Sequence, residues 1–413
     1  MKTKNLSGRK QHRNSLPGSL PSGLAAAALT VTAAFAPTGA NALGFRIPNQ
    51  DPEAIARGNA FVATADNPSA IYYNPSGITQ LDGQNLQVGA QFISINSFYN
   101  SPTGNSSESR FGVQPVPEFY YTRTLTNSPI SFGLGCYAPY GLSLSWPVGS
   151  SFRSDTIFQG RLDYITLNPV VAYKVNDQLS LAIGPTVNYS QVLLREGIPA
   201  AYGSQFKFRG DDFAPGFTGG VMWHPVERWS FGASYHSATS MNYGGSASTY
   251  TASSSSTAEL PFAQFIIGGA SFRPTTNWNF EADVDWTDWH SLKSTTFENT
   301  PLGNVPFRFD WHSSVLLEIG GTRYLPNGYF VSAGYFYSEK STTDYDAFPT
   351  VPDTDLHVGS LGFGHKMDRW AWTVAVQIIT GPDREIANNV NPAVEGRYQW
   401  VNASLNLSLR YHF

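Results

Sequence analysis

Residues 401–413 read VNASLNLSLRYHF, and this stretch decides the fold class. Alternate positions, from Val401 through Leu407 to Phe413, are apolar, and the positions between them are polar or charged. A strict period of two is the side-chain period of a β-strand. Strands of soluble proteins average about five or six residues, whereas a tilted strand needs about 9–11 residues to cross a membrane. The stretch therefore predicts a membrane-spanning strand with one face in lipid.

Upstream stretches show the same alternation. Leu179–Tyr189 and Trp278–Thr287 each alternate over ten or more residues, which again suits a membrane crossing. The alternation in Leu86–Phe92 is followed by Ile93 and Ile95, which indicate a change of phase. The chain from residue 85 to 413 is therefore interpreted as a series of strands with one lipid-facing and one polar face.

The second of those stretches also carries acidic residues at period two. Glu281, Asp283 and Asp285 share one face, and Phe280 and Val284 share the other. If the apolar face meets lipid, the carboxylates point into the interior of a barrel. We expect an acidic wall paired with lumenal Arg or Lys side chains there rather than a cation site.

Composition supports the membrane interpretation and excludes several classes of protein. Charged residues make up 14% of the 413-residue chain, against about 25% in soluble domains. Aromatic residues also reach 14%, yet the mean hydropathy is −0.23, as expected when residues alternate between lipid and water. A single cysteine, Cys136, excludes an internal disulfide framework. A net charge of −4 gives no indication of nucleic-acid binding.

The N-terminus has the layout of a secretory signal peptide. A basic segment with Lys2, Arg9 and Arg13 precedes the apolar stretch Leu24–Ala36, and the small-residue sequence Ala40–Ala42 follows. We expect residues 1–42 to be removed and the remaining chain to be exported.

The turns between strands predict the topology. Short breaks alternate with long polar breaks, as in barrels with short periplasmic turns and long external loops. The short breaks lie at residues 126–129, 176–177, 225–228, 274–277, 326–328 and 366–369. The long breaks lie at residues 100–112, 142–161, 195–211, 244–259, 290–309, 338–356 and 381–397. These connections predict about fourteen antiparallel strands, and a closed barrel satisfies every backbone group in lipid. A large secreted β protein is the alternative.

Residues 43–84 do not follow the strand pattern. They contain short apolar clusters, including Ile55, Phe61 and Ile71, broken by Gly, Pro and Asn. So many apolar side chains do not suit a solvated tail. We therefore expect residues 43–84 to form an N-terminal plug in the lumen of an all-β transmembrane barrel formed by residues 85–413.

Several ordered motifs are similar to the FadL family of outer-membrane transporters for long-chain fatty acids and other hydrophobic compounds. The resemblance extends from about residue 43 to the end of the chain. The motifs that carry it are Gly44-Phe45, Ala54–Gly77 with Asn74-Pro75-Ser76, Ala138–Gly141 followed by Trp146, Leu167–Lys174, Gly216–Tyr235, Asp285–Trp289 and Tyr411-His412-Phe413.

The resemblance implies passive uptake across the outer membrane without a cofactor. In the family, a hydrophobic ligand passes through a lumenal pocket beside the start of the plug and leaves sideways past a distorted third strand. By resemblance, Leu43, Gly44 and Phe45 border the ligand pocket, and Asn74, Pro75 and Ser76 fix the plug. The third strand would be Ile130–Tyr140, with Gly133, Gly135 and Pro139 weakening its pairing. We expect residues 198–202, which are largely apolar, to form an external capture surface.

The resemblance also implies partners and leaves alternatives open. Expected partners are a long-chain fatty acid or another hydrophobic small molecule, together with outer-membrane lipid and lipopolysaccharide. The barrel assembly machinery, which reads the aromatic C-terminus, is a further expected partner. We expect the barrel to be a monomer. Aromatic hydrocarbon uptake by the same route is one alternative, and a general porin or a structural barrel is another.

Catalytic chemistry is not indicated by the sequence. The seven His residues after His12 are scattered singly, and no His-x-His or His-Glu-x-x-His spacing occurs. No metal site can therefore be identified. We expect no catalytic residues and no metal.

Overall fold

The computed structural model of the protein describes residues 44–147, 150, 152, 156–198 and 205–413. The predicted signal peptide (residues 1–42), Leu43 and most of the expected capture surface lie outside these residues. No helix among them is long and apolar enough to cross a membrane.

The described chain is dominated by antiparallel strands in one 22-segment sheet. The segments are β1 (Gln84–Ile95), β2 (Ser97–Asn100), β3 (Ser106–Glu108), β4 (Gly112–Thr124), β5 (Ile130–Tyr137), β6 (Gly141–Ser145), β7 (Ile157–Lys174), β8 (Leu179–Gly197), β9 (Gln205–Val226), β10 (Trp229–His236), β11 (Thr239–Ser248), β12 (Ser253–Phe262), β13 (Phe265–Thr275), β14 (Trp278–Thr287), β15 (Ser294–Thr300), β16 (Gly303–Arg308), β17 (Ser314–Tyr324), β18 (Tyr329–Ser338), β19 (Leu356–Lys366), β20 (Trp370–Thr380), β21 (Arg384–Ile386) and β22 (Gly396–His412).

These segments form a closed barrel of fourteen strands, as the sequence predicts. Several barrel strands consist of two consecutive segments, such as β5 with β6 and β10 with β11. Closure is made by β22, which pairs with β1 on one side and with β20 on the other. The C-terminal strand thus meets the strand that begins at Gln84, so no edge is left open.

The alternation of side chains follows the predicted faces. On β22, Val401, Leu405 and Leu409 are exposed on the outer surface, and Asn402 and Asn406 are buried inside. The expected change of phase in β1 is wrong. Gln87, Gln91, Ile93 and Ile95 are all buried on the same inner face, so the period of two continues and only the polarity of that face changes.

The turns agree with the sequence at one end of the barrel and differ at the other. Short connections join β4 to β5, β7 to β8, β9 to β10, β13 to β14, β17 to β18 and β19 to β20, as predicted. The breaks expected over residues 195–211, 244–259 and 290–309 consist largely of strand, because β8 and β9, β11 and β12, and β15 and β16 continue into them. Polar residues in these breaks predict contact with solvent. A long hairpin in water satisfies the backbone hydrogen bonds of such residues as well as a loop does.

The N-terminal segment, defined as residues 44–82, precedes β1 and is mostly buried. It contains helices α1 (Pro52–Ile55) and α2 (Ala70–Tyr73) and the 3₁₀ helix Pro75–Gln80. Its backbone approaches the barrel strands so closely that a Cβ on Gly320 would lie 2.0 Å from the Arg57 carbonyl oxygen. Inward-facing glycines of the wall therefore make room for this segment.

Candidate functional site

The start of the N-terminal segment is fixed by three aromatic side chains. Gly44 has a φ of +62°, and a Cβ there would lie 2.5 Å from the Trp311 ring and 2.9 Å from the Trp289 ring. Only glycine fits this backbone conformation and this space. The Phe45 ring packs next to them, with its centroid 4.8 Å from Trp311 and 5.9 Å from Trp289. The beginning of the segment is thus held in one place.

An apolar cavity of about 70 Å³ adjoins Phe45. Four further phenylalanines and several aliphatic side chains from β6, β7, β8 and β12 form most of its wall. The principal lining residues are Phe45, Leu142, Ile157, Leu162, Val192, Leu194, Ala258, Leu260, Phe297, Phe307, Phe309, Phe348 and Val351. Of the three residues expected to border a ligand pocket, Phe45 lines this cavity, Gly44 is its neighbour, and Leu43 lies outside the described residues.

The cavity has one charged lining residue among the described residues, Arg161. Its Nε donates to the carboxylate of Asp163 at 2.9 Å. The guanidinium is therefore already paired, and the remaining wall offers dispersion contacts. Such a space suits an uncharged apolar molecule.

The roof of the cavity comes from the loop between β18 and β19, which supplies Phe348, Thr350 and Val351. Arg384 holds this loop, because its guanidinium contacts Asp344 at 2.8 Å and the Thr342 hydroxyl at 2.6 Å. The alternation pattern gives no indication of these residues, since they lie within polar breaks. The signal in the sequence that could have indicated a cavity there is the presence of apolar residues inside such breaks, namely Phe307, Phe309 and Phe348.

The acidic face of β14 binds the N-terminal segment. Glu281 and Asp283 accept the backbone N–H groups of residues 61–64 at 2.7–3.2 Å, and Glu281 also pairs with Arg57 at 2.9 Å. Asp285 pairs with Arg46 at 2.6 Å. The expected lumenal basic partners are therefore present, and the N-terminal segment supplies them. A buried carboxylate with such partners is stabilised rather than free to collect a cation.

Asn74, Pro75 and Ser76 lie together at the start of the 3₁₀ helix. The Asn74 side-chain oxygen accepts from the backbone N–H of Ser76 at 3.3 Å and from its hydroxyl at 2.6 Å. The Asn74 amide donates to the Val62 carbonyl at 2.8 Å and to the Val221 carbonyl at 3.0 Å. One side chain thus joins two parts of the N-terminal segment to β9.

The third barrel strand is interrupted. It consists of β5, which ends at Tyr137, and β6, which begins at Gly141, so the strand expected over Ile130–Tyr140 ends three residues earlier than predicted. Pro139 lies in the interruption, where it cannot donate to a ladder. Gly133 and Gly135 lie in β5, and a Cβ at either position would lie 2.8 Å from Ile71. These glycines therefore serve close packing against the N-terminal segment.

The N-terminal segment pairs with this interruption. The Ile47 N–H donates to the Pro139 carbonyl, and the Gly141 N–H donates to the Phe45 carbonyl, both at 2.8 Å. The Gln50 side chain donates to the Ala138 carbonyl at 2.8 Å and accepts from its N–H at 3.3 Å. The break in the wall is thus closed by hydrogen bonds from residues 45–50.

Other expectations concern single residues. Cys136 lies half-buried in β5. In the expected capture surface, Ile198 packs against the main apolar cluster, and residues 199–202 lie outside the described part. The buried His236 contacts the Tyr72 carbonyl at 2.9 Å. Within the described residues, no group of three or more His, Cys, Asp or Glu side chains is arranged to hold a metal.

Three solved structures have the same fold. A FadL homologue of Pseudomonas aeruginosa superposes with a TM-score of 0.81 at 19% identity, covering 89% of this chain and 99% of that one. The toluene transporter TodX of Pseudomonas putida gives a TM-score of 0.71 at 14% identity over 89% and 99%. The toluene transporter TbuX of Ralstonia pickettii gives 0.69 at 15% identity over 88% and 99%. At these identities the likeness concerns the fold alone.

Sequence comparison identifies the family. The Neisseria meningitidis serogroup B protein NMB0088 is 29% identical over 142 residues, which cover 32% of this chain and 30% of that protein. The family model described as outer membrane protein transport protein (OMPP1/FadL/TodX) matches residues 33–413. That family consists of transport proteins rather than enzymes. The chain therefore belongs to the FadL/TodX family of outer-membrane transport proteins, as the motifs in its sequence predict.

Proposed function

We propose that this protein takes up hydrophobic small molecules passively, with the apolar cavity beside Phe45 as their binding site. Long-chain fatty acids and other hydrophobic compounds are the proposed ligands. The cavity is the observation that carries the proposal, because its wall is almost entirely aromatic and aliphatic. Burial of apolar surface contributes about 25 cal/mol per Å², so binding there needs no energy source and no cofactor.

The packing of the N-terminal segment favours transport of a bound ligand rather than flow of water through an open lumen. Its residues from Phe45 to Ile78 are mostly buried against the inner wall. We propose that it acts as the plug expected over residues 43–84, within a barrel of residues 85–413, after a signal peptide over residues 1–42 has been removed. A general porin needs an open aqueous lumen, which this packing does not favour.

We further propose that the interruption of the third strand is a lateral exit, with Gly133, Gly135 and Pro139 on its inner side. The break between β5 and β6 supports this assignment. Opening requires residues 45–50 to withdraw, because their hydrogen bonds close the gap. Withdrawal would also move Phe45 away from the cavity, and binding and release would then be coupled.

The size and charge of the cavity favour the second candidate, an aromatic hydrocarbon. The cavity of about 70 Å³ is smaller than an apolar cavity of roughly 150 Å³ that takes up benzene. A single ring therefore enters after a small side-chain movement, whereas an extended fatty acid requires a larger rearrangement. Arg161 is paired with Asp163, so a carboxylate finds no free cation among the described lining residues.

Filling the cavity tests the proposed site. Ala258 lies in its wall, and Ala258→Trp should abolish binding of toluene and palmitate to the purified barrel. Ala403 is exposed on the outer face of β22, so Ala403→Trp is the matched control and should bind like wild type. Equal binding by both variants would contradict the proposed site. Large, steady ion currents in planar bilayers would instead support a porin.

Comparison of ligands distinguishes the two candidates. Palmitate and the uncharged 1-hexadecanol have chains of equal length, and toluene supplies a single ring. Tighter binding of palmitate than of 1-hexadecanol would favour the fatty acid, and tighter binding of toluene than of both would favour the hydrocarbon. Mass spectrometry of compounds that copurify with the barrel gives an independent answer.

A further inference from the structure

The barrel wall has a second interruption, between β9 and the junction of β10 with β11. β9 pairs with β10 as far as Thr218 and His236, and with β11 only from Asp211 and Gly244 outward. Residues 212–217 of β9 therefore lie outside both ladders, although the Phe217 carbonyl still accepts a backbone hydrogen bond from the Ser237 N–H at 3.0 Å. On the other side, β9 pairs with β8 without a break from residue 205 to residue 223. The interruption is thus a local gap between two neighbouring strands.

The sequence explains why the ladder stops there. Pro215 has no N–H to donate, and side chains replace the missing ladder bonds around it. The Phe217 N–H donates to the Ser237 hydroxyl at 2.9 Å. The Asn242 N–H donates to the Asp212 carboxylate at 2.6 Å. Bonds of this kind can exchange as side chains rotate, whereas ladder bonds require the strands themselves to separate.

A narrow crevice of about 20 Å³ lies at this gap. Tyr140 and Tyr164 line it from the lumen, and Phe217, which is 47% exposed on the outer surface of the barrel, also lines it. The crevice therefore reaches from the interior toward the lipid. Gly216 helps to keep it open, because a Cβ there would lie 2.7 Å from the Thr186 hydroxyl and 2.9 Å from that of Ser237.

The crevice adjoins the apolar cavity. Leu162 of β7 lines the cavity, and Tyr164, two residues along the same inner face, lines the crevice. Beside the crevice, the rings of Tyr140 and Tyr164 pack with that of Phe262, with centroids 4.8–5.0 Å apart. Passage between the two spaces requires these rings to rotate, which breaks the hydrogen bonds of the Tyr140 hydroxyl to the Ala263 carbonyl and of the Tyr164 hydroxyl to Thr239.

The polar groups along the crevice are already hydrogen-bonded to one another. The Tyr137 hydroxyl donates to Asn168 at 3.0 Å, and the Tyr164 hydroxyl lies 2.9 Å from that of Thr239. The buried His236, the titratable imidazole of this lining, contacts the Tyr72 carbonyl. These polar groups already have partners within the protein, and the crevice therefore suits an uncharged molecule better than a carboxylate.

We propose that the gap between β9 and the β10–β11 junction is a second lateral exit, through which uncharged apolar molecules leave the cavity for the outer leaflet or core of the membrane. This inference rests on the proposed function of the cavity. At the third strand, four hydrogen bonds from residues 45–50 must break before a ligand can pass. At the second gap, one backbone hydrogen bond, from the Ser237 N–H to the Phe217 carbonyl, must break together with the bonds to the Ser237 hydroxyl and the Asp212 carboxylate, and none of these involves the N-terminal segment. The second gap is thus the exit that is available while the N-terminal segment stays in place.

Filling the gap with a side chain tests this route. Gly216→Leu should lower uptake of radiolabelled toluene at least tenfold in cells with equal amounts of heat-resistant folded barrel, while the purified variant still binds toluene. Gly219→Leu is the matched control on the same strand, because a Cβ there would meet only the Ala182 carbonyl oxygen, at 3.7 Å. The control should take up toluene like wild type.

A second experiment avoids dependence on folding of the leucine variant. In a Cys136→Ala background, Ser237→Cys and Gly219→Cys are each folded first and then labelled with pyrenylmaleimide. Labelling at position 237 should lower toluene uptake at least tenfold, and labelling at position 219 should leave it unchanged. Unchanged uptake after labelling at 237, or an equal loss at both positions, would overturn the second exit.

The outcomes also separate this inference from the proposed function. If wild type binds and takes up toluene and the blocked variants do so equally well, only the second exit is refuted. If wild-type protein neither binds nor takes up toluene or palmitate, the proposed function fails and this route fails with it.

Discussion

Leu407→Arg should strongly impair assembly of the barrel. Leu407 lies on the outer face of β22, opposite Ala90 of β1 and Val374 of β20, and is 39% exposed. In the outer membrane this face meets lipid, so the substitution places a guanidinium in hydrocarbon. The cost depends on depth, and depth can be worked out from the strand.

The aromatic residues at the end of β22 give the reference level. The Tyr411 ring packs 4.5 Å from that of Trp370, and this pair marks one membrane interface. Leu407 precedes Tyr411 by four residues, which at about 3.4 Å per residue and a tilt of about 40° raises it about 10 Å. The apolar band of such barrels is about 25 Å tall. Leu407 is therefore near the midplane, where Arg costs about 2–4 kcal/mol.

Val401 provides a control on the same face of the same strand. It precedes Tyr411 by ten residues, so the same geometry places it about 26 Å from that level, at the opposite interface. Val401→Arg should therefore cost only about 0–1 kcal/mol. The lumenal position Asn406 is unsuitable as a control. The polar residues of this face predict that it tolerates charge, and this prediction is wrong at Asn406, which is fully buried and donates to the Ala375 carbonyl at 3.2 Å.

The assay is reversible unfolding of each variant in lipid vesicles by guanidinium, with gel-shift analysis of the folded barrel in cell membranes. The difference in unfolding free energy between Leu407→Arg and Val401→Arg should be about 1–4 kcal/mol. Equal costs at both positions would show that the register or the depth is wrong. Recovery of wild-type protein from the soluble periplasmic fraction would refute the membrane barrel.

Two further predictions concern the N-terminal segment. Asn74→Ala should lower uptake without lowering the amount of heat-resistant barrel, because it removes the donor to the part-buried Val221 carbonyl and leaves the buried Val62 carbonyl without its donor, at about 1–3 kcal/mol for the latter. Uptake equal to wild type would refute this role. Burial, together with the nearby charge of Glu53, raises the pKa of Asp51 to about 6. Its neutral form therefore stabilises the segment below about pH 4, and that contribution, at most about 3 kcal/mol, is lost as pH rises through 6. Hydrogen exchange of residues 44–82 should then be faster at pH 7.5 than at pH 4 after correction for intrinsic rates, and Asp51→Asn should remove the difference.

The barrel could be predicted from the sequence because its signal is local. Alternation within a single strand shows which side chains share a face, as in Val401–Phe413, and short turns such as Asn176-Asp177 mark where the chain reverses. The sequence does not distinguish extended hairpins from loops over residues 195–211, 244–259 and 290–309, since polar residues there suit a strand in water as well as a loop. The apparent slip at Ile93 reflects a change in the polarity of one face, because the inner wall is itself apolar at that level.

The candidate site depended on residues far apart in the chain. Phe45 meets Trp289 and Trp311, and the cavity beside it takes its walls from β7, β8 and β12 and its roof from Val351. Alternation shows that a side chain faces inward, but not which other strands lie opposite it across the lumen. The barrel type and its lipid-facing surface were therefore determined by the sequence alone. Tertiary structure decided the cavity, the closed third strand and the gap at Pro215, because each is formed where closure of the barrel brings distant residues together.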